Sequence, residues 1–394
     1  MDKVIYLDNN ATTKVDERVA AKMMPYLTER YGNPSSIHSF GGSVMPDIED
    51  ARRAVANLIG ANFRNKDNCA TEILFTSCGT ESDNAAIMSA IATQEGRKKI
   101  VTSKVEHPAI LSKCKELARL GYTISYIGVD DRGRLDMEEL KREIDNDTAI
   151  VSIMWANNEI GNIYPVEEIA ELAHAKGALF HTDAVQAVGK VPIDMSKNSI
   201  DFLSLSGHKL HAPKGIGVLY IRRGVRFRPL IVGGHQELGR RAGTENTASI
   251  IALGEACKIA AAQVAEEVKL LSSMRDKLEA ELLKRIPKIR INGDLDSRLP
   301  NTSSISFEYI EGESILMLLD MFRICASSGS ACTTGSLEPS HVLRAMGLPY
   351  TAAHGTIRFS FSRYNTMEEV DTVLEKLPPI ISRLREISPY WSEK

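Results

Sequence analysis

The sequence predicts an α/β protein: a mostly parallel sheet covered by helices, followed by a smaller α+β unit. Two observations carry this. From about Glu72 to Ile231, short β-rich runs alternate with helical stretches, as in EILFT before ESDNAAIMSAIA, KKIVTS before HPAILSKCKELARLG, and AIVSIMWA before PVEEIAELAHAKG. That alternation is the pattern of parallel strands joined by helical crossovers. The second observation is length, since 394 residues exceed a comfortable single core and call for two.

The remaining elements follow in order. ALFHTDA, DFLSLSG and GVLYIRR continue the strand set. Thr247 to Ile286 is free of proline and keeps helical periodicity, which predicts one long helix or two successive ones leading out of the first unit. TSSISFEYI, a Gly/Ser-rich loop, GTIRFSFS and a closing helix then make the α+β part, with Thr366 and Glu369 spaced as a capping box for that helix.

Composition narrows the function classes. With 43% hydrophobic and 25% charged residues and a net charge of -3, the chain reads as globular, and no block of Lys/Arg with interleaved aromatics suggests nucleic acid or an anionic membrane. The expected partners are small molecules and proteins. MDKVIYLDNNATT lacks a basic segment followed by an apolar one, and no uninterrupted apolar run is long enough for a bilayer. A cytoplasmic protein is expected. Six cysteines are too sparse for a disulfide scaffold and show no metal spacing.

In sheets of this kind ligands bind beyond the carboxyl ends of the strands, so polar residues there are the candidates. FLSLSGHKLHAPKGIG puts Lys209 just after a strand, between Ser206 with His208 and a glycine turn; it can form a Schiff base, or be a surface lysine beside a turn. ALFHTDAVQAVGK ends a strand on Asp183 and places Gln186 on the same side of the following turn. Such a carboxylate can keep a pyridinium nitrogen protonated, and such an amide can reach a phenolic oxygen, although Asp183 alone also suits a helix N-cap. FTSCGTESDNAAIM sets Gly79 and Thr80 at a helix start, where unpaired amides and the helix dipole favour a phosphate. His107 in VEHPA and Asn157 in WANNE follow two further strands. His107 can stack on a flat ring and move protons near neutral pH, or simply finish a helix N-terminus. Asn157 can hydrogen-bond cofactor or substrate.

Together these residues carry a resemblance. YLDNNATT, YGNPSS, TSCGTES, VEHPA, WANNE, HTDAVQ, SGHK, RRAGTEN, SSGSAC, EPSHVLRAMG and IRFSFS stand in the order found in cysteine desulfurases of the NifS type, which are class V, fold type I enzymes using pyridoxal 5'-phosphate (PLP). The resemblance runs end to end. It implies a large PLP-binding domain over residues 16-257 with a seven-stranded, mostly parallel sheet, and a small domain of residues 1-15 and 258-394 carrying a mobile loop at about 325-336. It implies Lys209 as the Schiff-base lysine, Asp183 on the ring nitrogen, Gln186 on the phenolic oxygen and His107 over the ring. Gly79, Thr80, Ser206 and His208 surround the phosphate, Asn157 touches cofactor and substrate, and Arg358 clamps the substrate carboxylate. A guanidinium fork suits a carboxylate as a lysine does not. Thr244 would reach the phosphate in the neighbouring subunit, which implies a homodimer with shared sites.

Cys332 stands apart from the other cysteines because ASSGSACTTGS is a run of small residues with high backbone freedom. The resemblance makes it the thiolate that takes sulfur from L-cysteine, leaving L-alanine and a persulfide passed to an iron-sulfur scaffold protein, with a nitrogenase-related role. Lys209 would remove the α-proton and His107 would serve the thiol protons. The alternatives are a class V aminotransferase, which needs no loop thiol, a selenocysteine lyase, and a sulfur-transfer scaffold without PLP. Ile160 in NNEIG departs from the small hydroxyl residue common in relatives, which bears on fine substrate contacts. Cys325 is expected to be a packed thiol, with a second sulfur station as the alternative.

Overall fold

The computed structural model describes residues 4–61, 71–328 and 339–391. Its strands are β1 (Ile5–Tyr6), β2 (Ile73–Thr76), β3 (Lys99–Ser103), β4 (Thr123–Ile127), β5 (Thr148–Ser152), β6 (Leu179–Asp183), β7 (Phe202–Ser206), β8 (Gly217–Ile221), β9 (Ile289–Ile291), β10 (Thr302–Phe307), β11 (Ile324–Cys325) and β12 (Thr356–Ser360). Seven form one sheet in the order β2-β8-β7-β6-β5-β3-β4. Only β8 runs against its neighbours β2 and β7; the other pairings are parallel.

Successive side chains on a strand point to opposite faces, and here both faces are dry. Ile150 of β5, Leu74 of β2 and Phe202 of β7 pack with Ala85, Ile87, Ile110 and Cys114 from the helices Gly79–Thr93 and Pro108–Arg119. Their neighbours Val151, Phe75 and Leu203 face the other way, onto the helices Met45–Leu58, Val166–His174 and Thr247–Arg285. Burial on both faces is why these strands read as near-continuous apolar runs.

The long periodic stretch is a single helix, Thr247–Arg285, of 39 residues. Its first half, including Leu253 and Cys257, belongs to the core beneath the large sheet, and its second half, including Leu271, Met274 and Leu278, belongs to another core. An 18-residue window of it is apolar enough to cross a membrane by composition, with mean hydropathy 1.4, yet 61% of that window is buried inside the protein. The apolar character is that of a core helix.

The other core also takes Ile5 and Leu7 from the start of the chain and Ile305, Phe307, Ile357 and Phe359 from the antiparallel sheet β12-β10-β9. β1 pairs in parallel with β11. The closing helix Met367–Ile387 has both hydrogen bonds of the capping box expected at Thr366 and Glu369, a stabilisation of about 1 kcal/mol.

Candidate active site

β2, β3, β5, β6 and β7 all end at one edge of the sheet, and the turns beyond them surround a cavity of about 360 Å³. That is within the roughly 300–1,000 Å³ usual for small-molecule sites. Gly79, Thr80, His107, Asp183, Gln186, Ser206, His208, Lys209 and Arg358 all line it.

β7 passes directly into the tight turn Gly207–Lys209, which turns the lysine back over the sheet edge. Lys209 Nζ donates to the carbonyls of Asn10 and of Ala11, the latter at 2.7 Å. His208 Nδ1 meets Thr12 Oγ1 at 3.1 Å. Burial, then the charges of Lys209, Lys214 and Lys190, push the His208 imidazole down to about 4, so it is neutral at pH 7.

Asp183 ends β6 almost fully buried, and its Oδ1 accepts from the Val185 N–H at 2.9 Å. Burial and then the neighbouring Asp83 carboxylate push its acid upward; a cation brought against it would reverse that push. Behind it, His181 is held between Ser152 Oγ (2.8 Å) and Ser204 Oγ (3.0 Å), and burial pushes it down to about 4.

Opposite, the helix Gly79–Thr93 points its first amides at the cavity. A Cβ on Gly79 would lie 2.9 Å from Val185 Cγ2, so a larger residue there would force Val185 to shift. His107 is the N-cap of the helix Pro108–Arg119, its Nδ1 accepting from the Ala109 N–H at 3.1 Å. In the neutral ring the proton then sits on Nε2. His107 is thus both the helix cap and a cavity-lining group. The preceding Glu106 is fully buried, pushed up to about 8 by burial, and accepts from Ser103 Oγ at 2.7 Å and from the Met154 N–H.

Arg358 on β12 donates through Nη2 to Asp8 Oδ1 at 2.7 Å and through Nη1 to the Asn158 carbonyl at 2.9 Å, while its buried Nε has no partner among the described residues. Arg358 lines the cavity, so a carboxylate entering there would meet its guanidinium group.

Two expected residues are not among those lining the cavity. Asn157 does not line the cavity: its Nδ2 donates to the Val105 carbonyl at 3.0 Å, and its Oδ1 accepts from the N–H groups of Glu159 and Ile160. All its capacity braces the turn after β5, and Asn158 faces the cavity in its place. Thr244 is exposed and is not among the lining residues. Its loop is fixed nearby, since Arg241 pairs with Glu81, in the first turn of the Gly79–Thr93 helix, at 2.9 Å. Cys332 lies outside the described residues. Both flanks of its segment are tied to the rim: Ser327 exchanges backbone hydrogen bonds with Arg358, Ser340 donates to Glu159, and His341 Nε2 meets the Glu106 carbonyl at 2.9 Å. Cys325 is half-buried, and burial first raises its thiol above the usual value. Ile160 is buried in the core beneath the large sheet.

Some groups at the site were not singled out from the sequence: Asp8, the Asn10 and Ala11 carbonyls, Cys78, Asp83 and Asn158. Asp83 had a signal. It falls with Gly79, Ser82 and Ala86 on the helix face that meets the sheet, where a buried carboxylate is exceptional.

The donor set fits a phosphorylated pyridine aldehyde. A lysine amine, a buried carboxylate raised by burial, an amide, a neutral imidazole and a glycine-initiated helix start converge on one cavity, and each matches one part of PLP. The comparisons agree. Residues 5–373 match the family model described as aminotransferase class-V. Over 388 residues the chain is 59% identical to "Cysteine desulfurase NifS" of Azotobacter vinelandii, covering 98% of this chain and 95% of that protein. It is 58% identical to a cysteine desulfurase of Gluconacetobacter diazotrophicus, covering 98% and 96%. Among solved structures it resembles a "NIFS-LIKE PROTEIN" with a TM-score of 0.89 and 41% identity, covering 97% of this chain and all of that one. It also resembles "SspA in complex with cysteine", with a TM-score of 0.79 and 32% identity over 92% of this chain and all of the other. The chain belongs to the class-V aminotransferase family, among its NifS-type cysteine desulfurases.

Proposed function

We propose that the protein is a PLP-dependent cysteine desulfurase: L-cysteine and the Cys332 thiol give L-alanine and a Cys332 persulfide, atom for atom. The carrying observation is that Lys209, Asp183, Gln186, His107 and the Gly79 helix start share one cavity with Arg358, to which Ser327, on one flank of the Cys332 segment, is hydrogen-bonded. When bound, PLP supplies an aldehyde for amines to condense with and a ring that draws negative charge from the substrate's α-carbon.

The chain's own residues do the rest. Lys209 anchors the cofactor and, once freed by the substrate amine, takes the α-proton. Asp183 holds the proton on the ring nitrogen, Gln186 donates to the phenolic oxygen, and Thr80, Ser206 and neutral His208 join the Gly79 amides around the phosphate. His107, through Nε2, takes the proton of the substrate thiol. Cys332, as thiolate, attacks the substrate sulfur, so the S–S bond forms as the substrate's Cβ–S bond breaks; the electron pair stays on carbon, and protonation there yields alanine. Arg358, which lines the cavity, pairs with the substrate carboxylate while Asp8 and the Asn158 carbonyl hold the fork.

This reading includes a large domain over 16-257, a small one from 1-15 and 258-394, a homodimer in which Thr244 serves the partner's phosphate, and a cytoplasmic location. An iron-sulfur scaffold protein accepts the sulfur, in a nitrogenase-related role suggested by likeness to NifS. The test is incubation of the holoenzyme with cysteine, counting alanine, pyruvate and sulfide. Equimolar alanine with a persulfide on Cys332 supports the reading; pyruvate in place of alanine overturns it.

Arg358→Lys gives a separate expectation. Lysine keeps one charge but cannot hold Asp8, the Asn158 carbonyl and a carboxylate together. KM for cysteine should rise by roughly 10–100-fold, the value of a charge-assisted pair, with a smaller change in kcat. Steady-state kinetics check it, and an unchanged KM would remove Arg358 from substrate binding.

A further inference from the structure

Gln186 borders the cavity, and the two ends of its amide have nearly the same shape, so its own side chain does not fix which end faces inward. Lys190 does. Its Nζ lies 2.6 Å from Gln186 Oε1. An ammonium has three donors and no acceptor, so only the amide oxygen can face it. The NH2 end is thereby turned the other way, where Nε2 donates to the Asn10 carbonyl at 3.0 Å. That same carbonyl accepts from Lys209 Nζ, so the donor end of Gln186 points at the spot where Lys209 works.

We propose that Lys190 is a positioning residue: it locks the Gln186 amide with its donor toward the cofactor, so that Gln186 stabilises an anionic phenolic oxygen there and cannot accept a proton from a neutral one. This rests on the reading that Gln186 meets that oxygen.

The charged surroundings fit a group serving an anion. The charges of Lys209 and Arg358 reach Lys190, His208 and His211 lie close enough to feel its charge, and Glu267 and Arg363 line a small adjoining cavity with it. Burial, then Lys209 and Arg358, push the Lys190 amine down to about 7. A phosphate and a phenolate brought into the cavity would oppose that push and keep the proton on Lys190. With the proton gone, the amine could accept from the amide NH2 and the lock would fail.

The test reads the visible absorption of the bound cofactor against pH in the holoenzyme, in the parent, Lys190→Met, Gln186→Met and the double variant. A donor to the phenolate lowers the midpoint at which the chromophore loses its proton. Lys190→Met should therefore raise the midpoint by about one pH unit, the scale of one charge-assisted interaction. Lys190→Arg, which keeps a donor that cannot accept, should restore most of it. In the Gln186→Met background the Lys190 effect should vanish, because the two residues act as one unit. A midpoint unmoved in Lys190→Met, or a Lys190 shift that persists undiminished without Gln186, overturns the proposal. Should Lys190→Met not fold, Lys190→Gln, which can meet Gln186 with either end, is read by the same criteria. Failure of the cofactor reading itself looks different: the parent would then show no pH-dependent visible band at all.

Discussion

Lys209→Ala is expected to abolish alanine formation from cysteine and, with it, the borohydride-reducible link between chain and cofactor. The residue has two roles in the proposed reaction, anchor and base. A base alone contributes about 10²–10⁴-fold, so the loss should reach at least roughly 10³-fold once the anchor goes too. Among the described residues no other lysine lines the cavity. Lys214 is exposed and does not line the cavity, and Lys190 is engaged by Gln186. Lys209 is instead steered by the Asn10 and Ala11 carbonyls. Mass spectrometry of the reduced, digested protein reads the result. A retained cofactor adduct on another lysine would move the chemistry to that residue.

The large sheet was legible because its strands are buried on both faces, which writes them as apolar runs between helical stretches. β4 was not among the segments picked out by pattern. It is one of the two edge strands, and only Ile127 of its five residues is buried, so its apolar signal is diluted. The stretch from Thr247 left one helix or two open, since periodicity measures amphipathic character and not continuity. A helix that changes cores midway changes the face it buries, and the pattern blurs where it does so.

At the site, residues that follow strands were readable because the architecture itself sends strand ends to one edge. Single-residue choices around a turn were not. Asn157 and Asn158 are chemically equal in the sequence, and only the turn after β5, which spends Asn157 on the Glu159 and Ile160 amides, tells them apart. Asp8 was hidden for another reason. Its pairing with Arg358 joins residues 350 apart, and no local periodicity records such a contact. The same holds for the Asn10 and Ala11 carbonyls, which act through the backbone and have no residue type to recognise.

Cys332→Ala is the second large effect, and it separates a desulfurase from a generic PLP enzyme. Without added thiol, alanine formation should fall by at least roughly 10³-fold, as when one member of a nucleophilic unit is removed, and no persulfide should form on the chain. Cofactor binding should be intact, because the groups proposed to hold it lie on the sheet edge. Other thiols are poor replacements: burial pushes Cys114 and Cys257 up to about 12, and it raises Cys325 as well. A protonated thiol is a weak nucleophile. The stringent control is Cys78, which lines the cavity and is not fully buried. Cys78→Ala and Cys325→Ala should each leave the Cys332 persulfide in place. A persulfide on the Cys78 peptide, or a parental alanine rate in Cys332→Ala, would shift sulfur transfer from the 329–338 segment to the start of the Gly79–Thr93 helix. The described flanks argue against that shift: Ser327 is bound to Arg358, the residue proposed to hold the substrate carboxylate, and Ser340 to Glu159.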